Sequence, residues 1–359
     1  MNMKKIVIML LILPIMLSCM LYAEPPLDES DFPLKQVLVL PVDGDIQGIA
    51  VADTWVVVHT YDKIIAMDID TQKTLWSMDF QVITPHGKGF LMNNDTLIAA
   101  SFDQIIVVNK LGEKKEINLD PDTKTITKIL GVYSNYLYVV GGSEWTFAVY
   151  DISKNIMLWK MFVEREISDV VYDVSNNVVY VPTFSLRAFD NLSGKLLWEM
   201  GGIGAIGDSE VDILYVFSQT NIDNSFGLAA IDTVNQKKFW EKDIAISSSY
   251  SVSNLTIIDN LLIISGSELL AINKSNGEQV WATASVGEEF YTPVEYDGVI
   301  YVKTGATGSV YAISPDDGAV IGHVRLEDIG FGVANGGVYK LKDGIVFNTR
   351  NAIVIYKAK

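Results

Sequence analysis

Eight positions in this chain, Asp68, Asn109, Asp151, Asp190, Asp232, Asn273, Ser314 and Tyr356, follow one another at intervals of 41, 42, 39, 42, 41, 41 and 42 residues. A period of that size excludes one irregular core, because each unit must bury its apolar face against its neighbours. Five units keep a long common segment: IIAMDIDTQKTLW, FAVYDISKNIMLW, LRAFDNLSGKLLW, LAAIDTVNQKKFW and LLAINKSNGEQVW. Each sets a tryptophan eight residues after its anchor, at Trp76, Trp159, Trp198, Trp240 and Trp281. QIIVVNKLGEKKEI around Asn109 and VYAISPDDGAVIG around Ser314 keep the frame without the tryptophan, and AIVIYKAK holds the last anchor.

Within a unit the pattern is β throughout. A Val/Ile/Tyr-rich run precedes each anchor, at 55–59, 97–101, 136–140, 178–181, 213–217, 261–264, 299–302 and 345–348. The anchor run and the following run form a hairpin, with Gly194, Gly277, Gly318 or Asn155 at the turn position that needs positive φ. Four short strands in about 40–45 residues are a propeller blade. Residues 32–359 number 328, room for eight blades of 41. The expected fold is therefore all-β, an eight-bladed β-propeller of four-stranded blades. The last unit stops after its third strand, while 35–40 (KQVLVL) has no partner nearby in sequence. That run is expected to close the ring as the outer strand of blade eight.

The A-x-D-x-x-x-G-x-x-x-W pattern, met in full by Ala188, Asp190, Gly194 and Trp198, resembles the docking repeat of the PQQ-like (quinoprotein-type) eight-bladed propellers. The resemblance implies that Trp76, Trp159, Trp198, Trp240 and Trp281 are structural and dock on the neighbouring blade. Together with the leading segment, it narrows to the BamB-like outer-membrane assembly lipoproteins. That family implies a protein partner, a barrel-assembly component of the outer membrane, and no bond chemistry.

Residues 1–23 (MNMKKIVIMLLILPIMLSCMLYA) put two lysines before an apolar run, the layout of a bacterial export signal. Cys19, after Leu17 and Ser18, resembles a lipoprotein box and is the candidate lipidation site; Leu21-Tyr22-Ala23 offers an alternative cleavage site for soluble export, and retention as an uncleaved anchor is the third reading. Residues 24–31 read as a tether and 32–359 as the propeller. Either route places the ring outside the cytoplasm, lipid-anchored at the periplasmic face of the outer membrane or soluble in the periplasm or beyond. Lys plus Arg (27) against Asp plus Glu (44) leaves a net charge of −17. So acidic a body repels nucleic-acid backbones and anionic lipid, so membrane contact is expected through the lipid anchor alone. With 49% apolar residues it has ample core for a monomeric ring.

No signature of catalysis survives inspection. Cys19 is the chain's one cysteine, whereas quinone-dependent dehydrogenases of the resembling family carry a vicinal cysteine pair; no catalytic residue, cofactor or metal is expected. His59, His86 and His323 fall in different blades without metal-ligand spacing. Gly202-Ile-Gly204-Ala-Ile-Gly207 matches a dinucleotide fingerprint but lies between blades, not in a βαβ unit, and reads as a turn. Asp43-Gly44-Asp45 and Asp316-Asp317-Gly318 read as turns too.

What remains is surface. Blade-joining loops share a face with the loops between second and third strands, and binding residues concentrate on such loops. Candidate partner residues there are Glu164, Arg165, Glu166, Phe290 and Tyr291. The leading expectation is a non-enzymatic exported scaffold. The alternatives are a periplasmic or cell-surface ligand-binding or sensory propeller and a cryptic quinone enzyme.

Overall fold

In a computed structural model the described residues are 31–82, 89–123, 125–142, 145–164, 167, 169–218, 225–245, 254–283, 289–305, 308–325 and 336–359. They form eight separate four-stranded sheets, antiparallel throughout. Blade 1 comprises Gly48–Ala52, Trp55–His59, Lys63–Asp68 and Thr74–Asp79, paired in chain order. Blades 2 to 7 repeat that order with first strands beginning at Phe90, Ile126, Val171, Ile203, Asn254 and Val294. Blade 8 takes Val338–Leu341, Gly344–Asn348 and Ala352–Ala358 from the end of the chain and Leu34–Pro41 from its beginning. The predicted closure is therefore present: Lys35 pairs with Lys357 and Leu40 with Ile353.

Second strands are the most apolar runs, and all five residues of Trp55–His59 are buried. Continuous β-branched and aromatic runs can be buried on both faces only when sheets stack. The core is accordingly split into eight clusters, one between each pair of neighbouring blades. The cluster between blades 8 and 1 joins Leu40, Ile49 and Val58 to Val346 and Ile355; the one between 7 and 8 includes Phe32 and Leu34. The same junction is clamped outside by Arg350, whose Nε and Nη2 donate to the two carboxylate oxygens of Asp45 at 2.9 and 2.7 Å. Asp45, expected in a plain turn, is thus a ring clasp. The guanidinium beside it lowers its pKa.

The repeat motif has a local geometry that explains its residue types. In blades 1, 3, 4, 5, 6 and 7 the pairing of third and fourth strands slips by one residue, two positions before the anchor. In blade 1 Met67 faces Thr74 and Ala66 faces Trp76, so Leu75 is the extra residue of a bulge. Bulges re-aim the side chain that follows them, here the tryptophan. Trp76, Trp159, Trp240 and Trp281 donate their indole N–H to the carbonyls of Lys110, Asn191, Lys274 and Pro315 in the next blade, at 3.1, 2.7, 2.9 and 2.7 Å. Each Asp or Asn anchor caps the turn that follows it; Asp68 Oδ1 accepts from the amide and hydroxyl of Thr71 at 2.8 and 2.9 Å. Those bonds and Lys110 hold Asp68 down to about 2.

The turn glycine meets two demands. Gly194 has φ +68°, and a Cβ there would lie 2.6 Å from Cδ2 of Trp159; Gly277 and Gly318 stand the same way over Trp240 and Trp281. Trp198 faces a turn that carries Gln236 (φ +55°) in place of glycine and rests 5.7 Å from the Tyr180 ring. Blade 2 lacks both tryptophan and bulge. There the ammonium of Lys115 donates to Ile152 O at 2.7 Å, the carbonyl an indole would have taken, and Asn155 bridges to Glu116 O and the Asn118 amide.

One expectation fails here. The segment 202–207 is not a turn: Gly202 alone turns (φ +77°), and Ile203–Glu210 is the first strand of blade 5. Its irregular pairing, with slips near Ile203 and Ile206, lets glycines sit in a strand whose apolar neighbours Ile203 and Ile206 are buried.

Candidate partner-binding face

In blades 1 to 4 the loops between second and third strands span two to four residues and open on one face of the ring. In blade 1 the Thr60 amide donates to Lys63 O at 2.9 Å, and in blade 2 the Ser101 amide donates to Gln104 O at 2.8 Å. These tight closures leave the two tip residues, Tyr61-Asp62 and Phe102-Asp103, projecting outward. The hydroxyls of Thr60 and Ser101 donate to the tip carboxylates of Asp62 and Asp103 at 3.4 and 3.1 Å. In blade 4 the Thr183 amide bonds Ser185 O at 2.8 Å around Phe184. Blade 3 presents Trp145, with φ +53°, whose carbonyl accepts from the Val163 amide at 3.0 Å. That bond brings Trp145 beside Phe162, the last residue of the outermost strand Ile156–Phe162.

The five rings form a sector. Tyr61, Phe102, Trp145, Phe162 and Phe184 are 71, 60, 37, 61 and 59% exposed, and they lie on one face of four consecutive blades. Among described residues the other exposed aromatic is Phe239, on the rim, and exposed aliphatic residues lie on the rim or the opposite face. Aromatic side chains turned to water on one face mark contact surfaces, since they bury large area at small entropic cost. None of the five is among the candidate partner residues read from the sequence. Their signal is positional: a ring stands six or seven residues before the anchor in the first four units, and the fifth has Phe226 at that offset but inside the strand Ser225–Asp232.

The predicted surface residues fare unevenly. Glu164 is exposed at the foot of the Trp145–Phe162 pair, while Arg165 and Glu166 lie outside the described residues. Phe290, expected on the partner face, is 1% exposed and belongs to the core between blades 6 and 7, held there by its bridge to Thr304. Tyr291 is half-buried, and burial and then the charge of Glu289 raise its hydroxyl pKa. Cys19 and residues 1–23 fall outside the described residues, as does most of the tether.

On the opposite face a cleft of about 200 Å³ opens between blades 4 and 5, lined by Tyr172, Asp173, Tyr180, Glu210, Asp212 and Thr233. Two buried groups also stand out. Burial holds His59 down to about 4, with its ring 4.8 Å from that of Phe90. Burial likewise holds Lys303 to about 7, with Nζ donating to Asn348 O at 3.0 Å. Among described residues no group of three or more His, Cys, Asp or Glu side chains could hold a metal ion, and no helix is long and apolar enough to cross a membrane.

A family model described as outer membrane protein assembly factor BamB matches residues 62–323. Among solved structures, BamB from Moraxella catarrhalis is 16% identical, with a TM-score of 0.66 over 91% of this chain and 98% of its own. The quinohemoprotein alcohol dehydrogenase of Comamonas testosteroni is 12% identical, with a TM-score of 0.65 over 93% of this chain and 78% of that one. Sqt1 from Saccharomyces cerevisiae is 11% identical, with a TM-score of 0.70 over 90 and 99%. Likeness at these identities carries the fold and leaves function open. No curated protein matches.

Proposed function

Because this chain belongs to the family of the outer membrane protein assembly factor BamB, we propose that it is a non-enzymatic exported scaffold that holds a component of the outer-membrane barrel-assembly machinery. The observation that carries the reading is the aromatic sector of blades 1–4, a contact surface fixed on a rigid ring. The work is binding and orientation. Tight amide-to-carbonyl closures preset each loop tip, so little conformational entropy is lost when a partner docks. Lipidation at Cys19 would keep the face near the membrane: residues 20–31, fully extended, reach about 40 Å.

The quinone-enzyme reading is poorly supported by the residues present. The chain's one cysteine is Cys19, ahead of the ring, where the resembling dehydrogenases carry a vicinal pair. The cleft between blades 4 and 5 favours a different second reading, a soluble ligand-binding propeller.

Affinity capture of tagged protein from gently solubilised native envelope tests the proposal, with the intact N-terminal mass read from the same sample. Recovery of an outer-membrane barrel protein with a triacylated Cys19 is the expected result. An unlipidated chain starting at Glu24, with no barrel partner, would sink it.

A further inference from the structure

The aromatic sector differs from an ordinary apolar patch in what stands beside each ring. Asp62 follows Tyr61 and Asp103 follows Phe102 on the same two-residue tip, and Glu164 lies two residues beyond Phe162. All three carboxylates are exposed and, among the described residues, none is in an ion pair. The bias extends over the sector. Among the described residues these loops and the segments joining blades 1 to 4 hold Asp62, Asp103, Asp120, Asp122, Glu164 and Asp169, of which Asp120 and Asp122 share Lys160. Aromatic faces carry negative quadrupole charge, so a ring next to a carboxylate doubly favours a cation laid across it. Anionic lipid and a second copy of this acidic chain are repelled by the same field.

We propose that this sector is the docking site for a cationic polypeptide segment of a partner, whose Arg or Lys side chains stack on Tyr61 and Phe102 and pair with Asp62 and Asp103. The inference rests on the scaffold reading and specifies the chemistry of its partner. Four tips spread over four blades suit an extended segment with basic residues at intervals, and no single pocket is needed. Affinity would come from several weak contacts acting together.

The test titrates the purified ring with a twelve-residue peptide of alternating Arg and Ser, by calorimetry at 50 and 300 mM salt, against an alternating Glu/Ser peptide. The expected outcome is binding of the Arg peptide alone, weakened at the higher salt. Replacing both Tyr61 and Phe102 by Ala should weaken binding about 4- to 25-fold, two exposed cation–π contacts each contributing a factor of about 2 to 5. Tyr61→Phe should bind nearly as the parent does, and Asp62→Asn with Asp103→Asn should lower both affinity and salt sensitivity. These are loop-tip changes, so an unaltered melting temperature establishes that the ring is intact. Equal binding by the Tyr61/Phe102 double variant, or no binding at all, overturns the inference. So does ring-dependent sedimentation with phosphatidylcholine vesicles, which would make a membrane the occupant. If the double variant loses the envelope partner while the peptide never binds, the cationic chemistry fails and the scaffold reading stands. If the peptide binds through the rings but the parent ring recovers no barrel component from the envelope, the scaffold reading fails alone.

Discussion

One added methyl group can report on how the blades are held together. Gly194→Ala carries two separable costs. With φ at +68°, any Cβ is strained by about 1–2 kcal/mol. That Cβ would also stand 2.6, 2.7 and 2.9 Å from Cδ2, Cγ and Cε3 of Trp159, and the ring is pinned between Phe147 and Phe189 at 5.4 and 5.7 Å. Overpacking of this kind costs about 1–3 kcal/mol, and pushing the indole off Asn191 O forfeits about 1 more. The total is about 3–6 kcal/mol. Gly202→Ala supplies the control, because φ is +77° and nothing lies within 4 Å of the new Cβ. It should cost about 1–2 kcal/mol, from strain alone. Urea denaturation followed by far-ultraviolet circular dichroism measures both. In a Trp159→Ala background the crowding is gone, so Gly194→Ala should fall back to the control's cost, a coupling of about 2–4 kcal/mol. Equal costs for the two glycines, or an unchanged Gly194 penalty without the indole, would refute the view that the glycine exists to admit the preceding blade's tryptophan.

Ring closure makes Phe32→Ala, a change at the start of the chain, destabilise the blade 7–8 junction by about 3–5 kcal/mol, since Phe32 packs edge-on against Tyr301 and Tyr356; a shift of the whole transition is expected, and a small separate early phase would argue against it. Acid should act in two windows. His59 titrates at about 4 in the ring and near 6.5 when unfolded, so its stabilisation is complete above about 6.5 and is lost as pH falls towards 4. Asp68, held to about 2, contributes fully above about 4 and loses its contribution between there and 2. Melting temperatures from pH 8 to 2 should show both slopes, His59→Phe removing the upper one alone and Asp68→Asn shrinking the lower. Lys303 sits near 7 in the ring against 10.5 unfolded, so stability should fall as pH drops from about 10.5 to 7. Lys303→Met should flatten that limb, and an unchanged slope would show that another group causes it.

The blade frame was legible because a period multiplies weak signals: Asp68, Asp190 and Asp232 each announce a turn, and together they fix the ring. The orphan run at 35–40 could be placed for the same reason, as a strand with no neighbour and a blade with no fourth strand. Other features need three dimensions. Lys115 doing the work of an indole is invisible to a pattern that counts tryptophans, since an ammonium and an indole N–H share donor chemistry and nothing else. Phe290 next to Tyr291 looked adhesive, but its pairing with Thr304 turns it into an interblade core. The glycines at 202–207 suggested a turn, and slipped pairing absorbed them into a strand. The loop-tip rings were present in the sequence, yet they stand out only once burial shows which aromatics face water.

The slipped pairing on the rim has a consequence beyond aiming tryptophans. Each outermost strand leaves one row of backbone donors and acceptors open, a template on which a foreign strand could grow. In blades 1, 3, 4, 5, 6 and 7 that row is broken by a bulge, and Leu34–Pro41 of blade 8 has its own at Val37. Lys114–Ile117 of blade 2 is the strand in regular register; it is four residues long and opens with exposed Lys114, Lys115 and Glu116. Short length and lysine are the other two defences of a sheet edge. In the surroundings proposed for it, among barrel strands that have not yet found their partners, the ring is built to be approached on its loop face and refused as a seed for aggregation along its rim.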